Sequence, residues 1–548
     1  MLRKYCQDFG RGCCSVASPI RVLLSASAVV LFGCATIEVP TTHIVMANGL
    51  GNPVKPTGNY NGKHVPWVAY PKMNPHEYNA YLDTMMQALD EYKSKHGKAR
   101  VLIFVHGGLN TAQTSISRAA MLTDQIMQGQ PDKDGYFPIF INWDSSLISS
   151  YFVDHLLNIR QGEHVNTWCC DKPPPTAQAA IKTFWSWFIE APVYLLTDLV
   201  RSIARAPVVT TFEIWNGVKS LPFVELEDRA NARRIAEELE NNAAESNIIK
   251  FARGKDNIEI KEHFTSVVSW FINFPFKLVS TPLIDATGKS SWEIMLRRTG
   301  ELFHIDDEFN TFSPMGENAS GKLRDIEPSG NLSIFLKRLK DKHKADLKKS
   351  NGKESWAITL MGHSMGSIVL NEMIRRSGDL PITNIVYMAA ACSIKDYEDT
   401  VFPYMERKEE VNVYHLMLSE RAEALERWRP SSLNLPPNFP FEIAPRGSLL
   451  VWIDEFMTNP LTPRDRTLGR YTNLMVSLHD IPVALRKRVN VKVFAAGAAF
   501  TKTDPQKHSD FTERFKFWDP DCWTPSSSNP VTCYNEDGWA RKEAASIP

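Results

Sequence analysis

The chain has 548 residues, 43% of them apolar and 23% charged, and its 62 Lys+Arg are matched by 62 Asp+Glu. That zero balance excludes the basic surface that nucleic-acid binding requires, and the composition excludes a disordered or fibrous chain. The length accommodates one large core with an added domain, or two to three domains.

In chain order, Arg3, Lys4, Arg11 and Arg21 precede an apolar stretch from Val22 to Gly33, after which comes Cys34. A basic segment followed by so short an apolar run reads as a signal peptide over residues 1–33, too short for a spanning helix. The ending "LFGC" resembles the lipobox of bacterial lipoproteins. That resemblance implies that Cys34 becomes the acylated N-terminus and that the chain is exported. Ala35, a non-acidic residue after the cysteine, implies the periplasmic face of the outer membrane, with a membrane surface as partner. An ordinary cleaved signal or an N-terminal membrane anchor is the alternative.

Residues 34–98 read as a Gly/Pro/Asn-rich linker followed by a helix over Pro75–His96. Val101–Val105 is a continuous apolar run, the pattern of a strand buried on both faces. A helical stretch near Ser115–Met127 and a second buried strand over Phe137–Trp143 follow. The buried-strand pattern returns at "WAITLMG", at Ile382–Ala391, at Val411–Leu418 and at Val489–Gly497, with helical segments between them. Strands alternating with helices predict an α/β fold with a doubly wound, mostly parallel sheet.

On this pattern the sheet domain comprises residues 99–144 and 355–518, and residues 519–548 form a tail. Residues 145–354 form a large helical insertion, expected to act as a cap or lid. The insertion carries a weak repeat, "SWFIEAPVYLLT" from Ser186 and "SWFINFPFKLVS" from Ser269. Prolines and the charges Glu190, Asp198 and Lys277 keep either copy from spanning a bilayer cleanly. The two copies read as apolar helices packed on the sheet domain, or as a lid whose aromatic face meets lipid or an acyl chain.

Five cysteines remain after Cys34, at 169, 170, 392, 522 and 533. Cys522 and Cys533 bracket a Pro/Ser-rich loop that a disulfide can close in an oxidising compartment. An odd count leaves one thiol unassigned. No Cys/His spacing suits a metal, and neither a metal nor another cofactor is expected.

The segment "WAITLMGHSMGSIVLNEMIRR" runs from a buried strand through Gly362-His363-Ser364-Met365-Gly366 into an apolar helix. Gly-x-Ser-x-Gly has little meaning alone, but strand, corner and helix together are the context of a nucleophile elbow. Glycines flank the serine because a Cβ at either position would clash with passing backbone. The corner is expected to expose the Ser364 hydroxyl above the sheet edge and to aim amide groups of the following helix at the same spot.

With "VHGGLN" after an earlier strand, the chain resembles the α/β-hydrolase superfamily, its serine esterase and lipase branch. That resemblance covers residues 99–144 and about 355–515. It implies an α/β-hydrolase fold with oxyanion-hole amides at Gly108 (or Leu109) and Met365, while His106 orients the loop. It also implies a Ser, acid, His order along the chain.

Downstream of Ser364 stand only His415, His479 and His508. His415 lies within a strand pattern and reads as a core residue. His508 lies after the last strand, where the family places its base, with His479 as fallback. Asp480 and Asp510 read as solvated surface acids. For the acid, the loop after Val411–Leu418 offers Glu420, then Glu423, while Asp396 follows the preceding strand.

The implied chemistry is two-step acyl transfer. The expected substrate is a carboxylic ester, a lipid or acyl ester being favoured by the aromatic insertion. A thioesterase, acyltransferase or peptidase would use the same triad. A non-catalytic envelope protein using this scaffold to bind lipid or a partner is the reading from another class. Oligomeric state is not legible.

Overall fold

The computed structural model describes residues 37–56, 59–60, 70–108, 110, 112–129, 135–146, 150–151, 155–156, 191–219, 260–304, 330–426, 445–458, 460–478, 480–494, 505–524 and 533–535. The signal segment, Cys34, Leu109, Cys169, Cys170, the start of the first repeat copy and His479 lie outside them.

Seven strands form one sheet: β1 (Ile44–Met46), β2 (Ala99–Val105), β3 (Phe137–Asn142), β4 (Trp356–His363), β5 (Ile382–Met388), β6 (Asn412–Leu418) and β7 (Val489–Phe494). Their order is β1-β3-β2-β4-β5-β6-β7, and all six neighbouring pairs are parallel. The α/β sheet expected from the alternation of apolar runs and helical segments is present. Residues on both faces of β2, β3 and β4 are almost entirely buried, which is why these strands read as unbroken apolar runs. The register aligns Val105 with Gly362, so β2 and β4 end side by side and the loops that leave them meet.

Helix α1 (Pro75–His96) starts and stops where the sequence places it. Asn74 and Glu77 form a reciprocal capping box, Pro75 occupies the first turn, and Gly97 closes the helix in the left-handed region at φ 70°, where only glycine is unstrained. Tyr78, Leu82, Met85 and Leu89 line its buried face. Helix α2 (Ala112–Gln128) follows β2. Two long helices come next, α3 (Ala191–Lys219) and α4 (Ile260–Glu301), followed by α5 (Asn331–Lys349), α6 (Gly366–Arg376), α7 (Ile394–Arg407) and α8 (Glu420–Leu425).

Three sequence-based boundaries change. The linker assigned to 34–98 contains β1, a strand too short to register as a period. Its edge is tied to α5 by the Asn331 side-chain amide, which donates to the Met46 carbonyl at 3.0 Å.

Helix α5 falls inside the expected insertion, yet it belongs to the sheet layer. Its Leu332, Phe335, Leu336 and Leu339 are buried in the common core, and its Asp346 accepts from Lys93 at 2.8 Å and from the Trp356 indole at 3.1 Å. Helix α1 and the start of β4 thus share one carboxylate.

Finally, residues 519–524 and 533–535 are no tail. Cys522 and Cys533 are disulfide-bonded, Trp523 packs edge-on to Tyr414 at 4.7 Å, and Phe515 bridges to Tyr534. Cys392 is a free, buried thiol.

Because this disulfide closes a loop of 11 residues' separation, replacing both Cys522 and Cys533 by alanine is expected to lower stability by about 3 kcal/mol. The measurement is the shift in the denaturant unfolding midpoint at unchanged m-value.

Candidate active site

Ser364 occupies the bend between β4 and α6 with φ 51°, a left-handed conformation that a non-glycine residue adopts only where its surroundings enforce it. Those surroundings are a lattice of backbone bonds. The Ser364 amide donates to the Met388 carbonyl at 2.9 Å, and the Ser364 carbonyl accepts from Ser367 N–H at 3.0 Å and Ala391 N–H at 3.0 Å. It accepts also from the Ser367 hydroxyl at 2.6 Å.

Both flanking glycines are required by space. A Cβ on Gly366 would lie 2.3 Å from the Val105 carbonyl oxygen, and one on Gly362 would lie 3.0 Å from the Ser367 backbone. The loop after β2 presses equally close, since a Cβ on Gly107 would lie 2.7 Å from Ser364 Cβ.

That loop is pinned through the Gly107 carbonyl. His106 Nδ1–H donates to it at 2.8 Å, Asn110 Nδ2 at 2.9 Å and Ser145 Oγ at 3.1 Å. His106 Nε2 accepts the Trp143 amide at 3.2 Å, so both ring nitrogens are committed and burial holds this imidazole down at about 3. His106 thus orients the loop.

The candidate oxyanion donors Gly108 and Met365 are neighbours; a Cβ on Gly108 would lie 3.6 Å from Met365 Cβ. Among the described residues neither amide N–H has a hydrogen-bond partner. Met295 of α4 reaches the same glycine, with its sulfur 4.0 Å from that Cβ position.

The structure brings His508 to this corner. It lies in the segment after β7, and its ring centroid is 4.8 Å from that of His363. His363 Nε2–H donates to the His508 carbonyl at 3.0 Å. The loop is held from below by Asp510, whose carboxylate accepts the amides of Gln506 at 3.0 Å and Lys507 at 3.1 Å. The surface role expected of Asp510 is therefore overturned: at 2% exposure it is a buried turn-forming group. Asp480 is exposed, as expected.

Two further expectations change. The Ser364 hydroxyl is not exposed. The residue is 1% accessible, and the loop after β2 presses on it at Gly107. No hydrogen bond joins its Oγ to His508. Among the described residues, Ser364 Oγ, His363 Nδ1 and both ring nitrogens of His508 are buried without a hydrogen-bond partner.

The carboxylates proposed for the triad are engaged elsewhere. Glu420 is ion-paired to the buried Arg470 at 2.7 Å and accepts from Thr472 at 3.1 Å. Arg470 also draws in Asp454 at 3.1 Å, because a buried guanidinium needs compensating charge. Asp396 is paired with Arg375 and accepts from Asn371 at 2.5 Å. Glu423 accepts from the Ser448 hydroxyl and is pushed up by burial. His415 is buried in β6, stacked 5.4 Å from Tyr387, and burial lowers it to about 3.

The carboxylate that does reach the histidine segment is Glu426, which sequence reasoning missed. Its Oε2 accepts the His508 backbone amide at 3.0 Å, and burial, against that bond, leaves it raised to about 7. It lies just past the end of α8, three positions beyond Glu423 and six beyond Glu420; the i, i+3, i+6 spacing of the three was the available signal.

His363 and Arg118 were missed too. Arg118 on α2 is buried, donates to Asn110 Oδ1 at 3.2 Å, and its positive charge helps to lower both His106 and His363, after burial itself. Among the described residues no group of three or more His, Cys, Asp or Glu is placed to hold a metal ion.

The chain matches no family model, and no curated protein and no solved structure is detectably similar to it.

Two outcomes follow from this geometry. Gly366→Ala forces its new methyl onto the Val105 carbonyl and is expected to cost about 1–3 kcal/mol or more, whereas Gly378→Ala, with nothing within 4 Å, is expected to be nearly neutral; denaturant midpoints compare them.

Burial also lowers His508 to about 4, while the unfolded imidazole titrates near 6.5. Between those values the unfolded state binds the extra proton. The His508 contribution is therefore complete above about pH 6.5 and is lost as pH falls toward 4. Glu426, raised rather than lowered, works in the opposite sense between about 4.5 and 7. The difference between the parent and His508→Gln isolates the histidine. Parent stability should fall relative to the variant by at most about 1.4 kcal/mol per pH unit across that window.

Proposed function

We propose that the chain is a serine hydrolase of the α/β-hydrolase type, acting on a carboxylic ester, with lipid or acyl esters favoured. The observation that carries this reading is the co-location of orphaned polar groups. Where two parallel strands end side by side, a strained serine lies against the Gly107 loop, and among the described residues the amides of Gly108 and Met365 and both ring nitrogens of His508, whose ring is 4.8 Å from that of the neighbouring His363, have no hydrogen-bond partner. Buried polar atoms are almost always paired, and clusters of exceptions mark places where a substrate or transition state supplies the partner.

In the reaction Ser364 Oγ attacks the ester carbonyl and His508 takes the hydroxyl proton. The amides of Gly108 and Met365 receive the oxyanion, and the alcohol leaves with the proton that His508 returns. Water, deprotonated by the same imidazole, then cleaves the acyl-enzyme. Among the described residues no acid reaches the ring; Glu426 orients its backbone.

Burial of Ser364 makes this a closed form. The helical insertion supplies the cap: α4 places Met295 against the oxyanion loop and anchors there through Arg298, ion-paired with Asp144 at 3.2 Å. Displacement of this helix would admit substrate. A thioesterase or acyltransferase would use the same groups. The exported, lipid-anchored setting rests on the Cys34 segment.

A second reading is favoured by the same burial together with the unoriented imidazole: the chain retains this scaffold as a binding protein without turnover. Labelling by a fluorophosphonate probe separates the two. Covalent labelling of the parent that vanishes in Ser364→Ala is expected; no labelling of the folded parent, with or without detergent or lipid to open the site, leaves the scaffold reading.

Because Glu426 holds an amide rather than the ring, Glu426→Gln is expected to keep ester turnover within about threefold. Glu426→Ala should lose about tenfold, since an unmet buried amide costs about 1–3 kcal/mol. A hundredfold or greater loss in Glu426→Gln would instead make this carboxylate the triad acid.

A further inference from the structure

Helices α3 and α4 are sorted inside out. They run antiparallel, and two buried ion pairs join them. Asp198 of α3 binds His155 at 2.7 Å and the Tyr151 hydroxyl at 3.1 Å. Arg205 pairs with Asp285 at 3.2 Å, and Glu213 with Lys277 at 3.2 Å. Ser202 donates to the Pro282 carbonyl of α4. Lys277 and Glu213 are among the most deeply buried side chains of the pair, at 0% and 2%.

The outward face carries the opposite chemistry. Val193, Leu196, Val200 and Ile203, at spacings of three, four and three, are 54%, 60%, 58% and 62% exposed. Of the fifteen exposed residues between Ala191 and Trp215 only Arg201 is charged. Phe276 and Leu283 of α4 are exposed as well.

We infer that this face docks on a lipid bilayer, with the apolar stripe of α3 in the acyl layer and Arg201 at anionic headgroups. Three observations select lipid over a protein surface. First, the ion pairs Arg205–Asp285 and Glu213–Lys277 are held between α3 and α4, away from the exposed face of α3, the distribution that a low-dielectric exterior imposes.

Second, a protein interface surrounds its apolar centre with a polar rim. Here the apolar face continues from Val193 to Trp215, about 33 Å at 1.5 Å per residue, with one cation and no acid among its exposed residues. Third, no described helix is long and apolar enough to cross a membrane, which fits a pair lying on the bilayer and buried to interfacial depth. The inference does not depend on the serine chemistry. The two are joined through α4, which shows Phe276 and Leu283 to the outside and sets Met295 beside Gly108.

The test uses the full chain carrying Cys34→Ser, so that no acyl group tethers it, and vesicles of phosphatidylethanolamine and phosphatidylglycerol. Sedimentation with the vesicles is compared with that of the same chain bearing Leu196→Asp, Val200→Asp and Ile203→Asp. The triple variant is expected to partition at least about tenfold more weakly while keeping the parent's unfolding midpoint, since the three side chains are solvent-exposed.

Equal partitioning of parent and variant overturns the inference. So does a parent that ignores vesicles but forms a dimer that the triple variant dissociates, which would make the face a contact between copies. Should the triple variant lack an unfolding transition, the single Val200→Asp and Ile203→Asp variants carry the comparison, each expected to weaken partitioning about threefold.

Discussion

The close approach of backbone at the top of the sheet governs the rest of this structure. Val105, at the end of β2, is in register with Gly362 near the end of β4, so the loop through His106 and Gly107 must cross the bend at Ser364. No side chain fits between them: Cβ atoms on Gly107 or Gly366 would fall 2.7 Å and 2.3 Å from the opposing segment. The strained φ of Ser364 survives because Met388, Ser367 and Ala391 bind its peptide groups on several sides. A core with native packing density cannot relax that strain cheaply, so the serine is held rigidly.

Electrostatics around this corner follow from its dryness. Burial drives His106, His363 and His508 toward the neutral form, and the charge of Arg118 reinforces the effect on His106 and His363. The same dryness raises Glu423 and Glu426. Glu420 and Asp454 are instead drawn to Arg470, so the carboxylate nearest in sequence to β6 is consumed by a structural ion pair. The residue that reaches the His508 segment comes from farther along. The helix pair shows a related economy: α3 and α4 hold two ion pairs between them, while α3 presents an almost wholly uncharged face outward.

The strands were legible because burial on both faces removes the need for alternation, leaving β2 through β6 as apolar runs bounded by turn residues. Helix α1 was legible to the residue, since Asn74, Pro75, Glu77 and Gly97 are local signals acting over a few bonds. Strand β1 was not: three residues carry no period, and their role depends on β3 and Asn331 nearly 100 and 300 positions away. Helix α5 was assigned to the insertion because its place in the chain is between two strands, whereas its apolar face packs with α1 and α6.

The sequence alone determined the parallel α/β sheet, the corner at Ser364 and the need for glycine beside it, because these rest on short-range sterics and on hydrophobic periodicity written into contiguous residues. Which carboxylate meets the His508 segment, that the serine lies covered, and that α3 and α4 hold two ion pairs between them were decided only in three dimensions. Those outcomes depend on which distant side chains compete for the same partner, and a one-dimensional pattern carries no term for that competition.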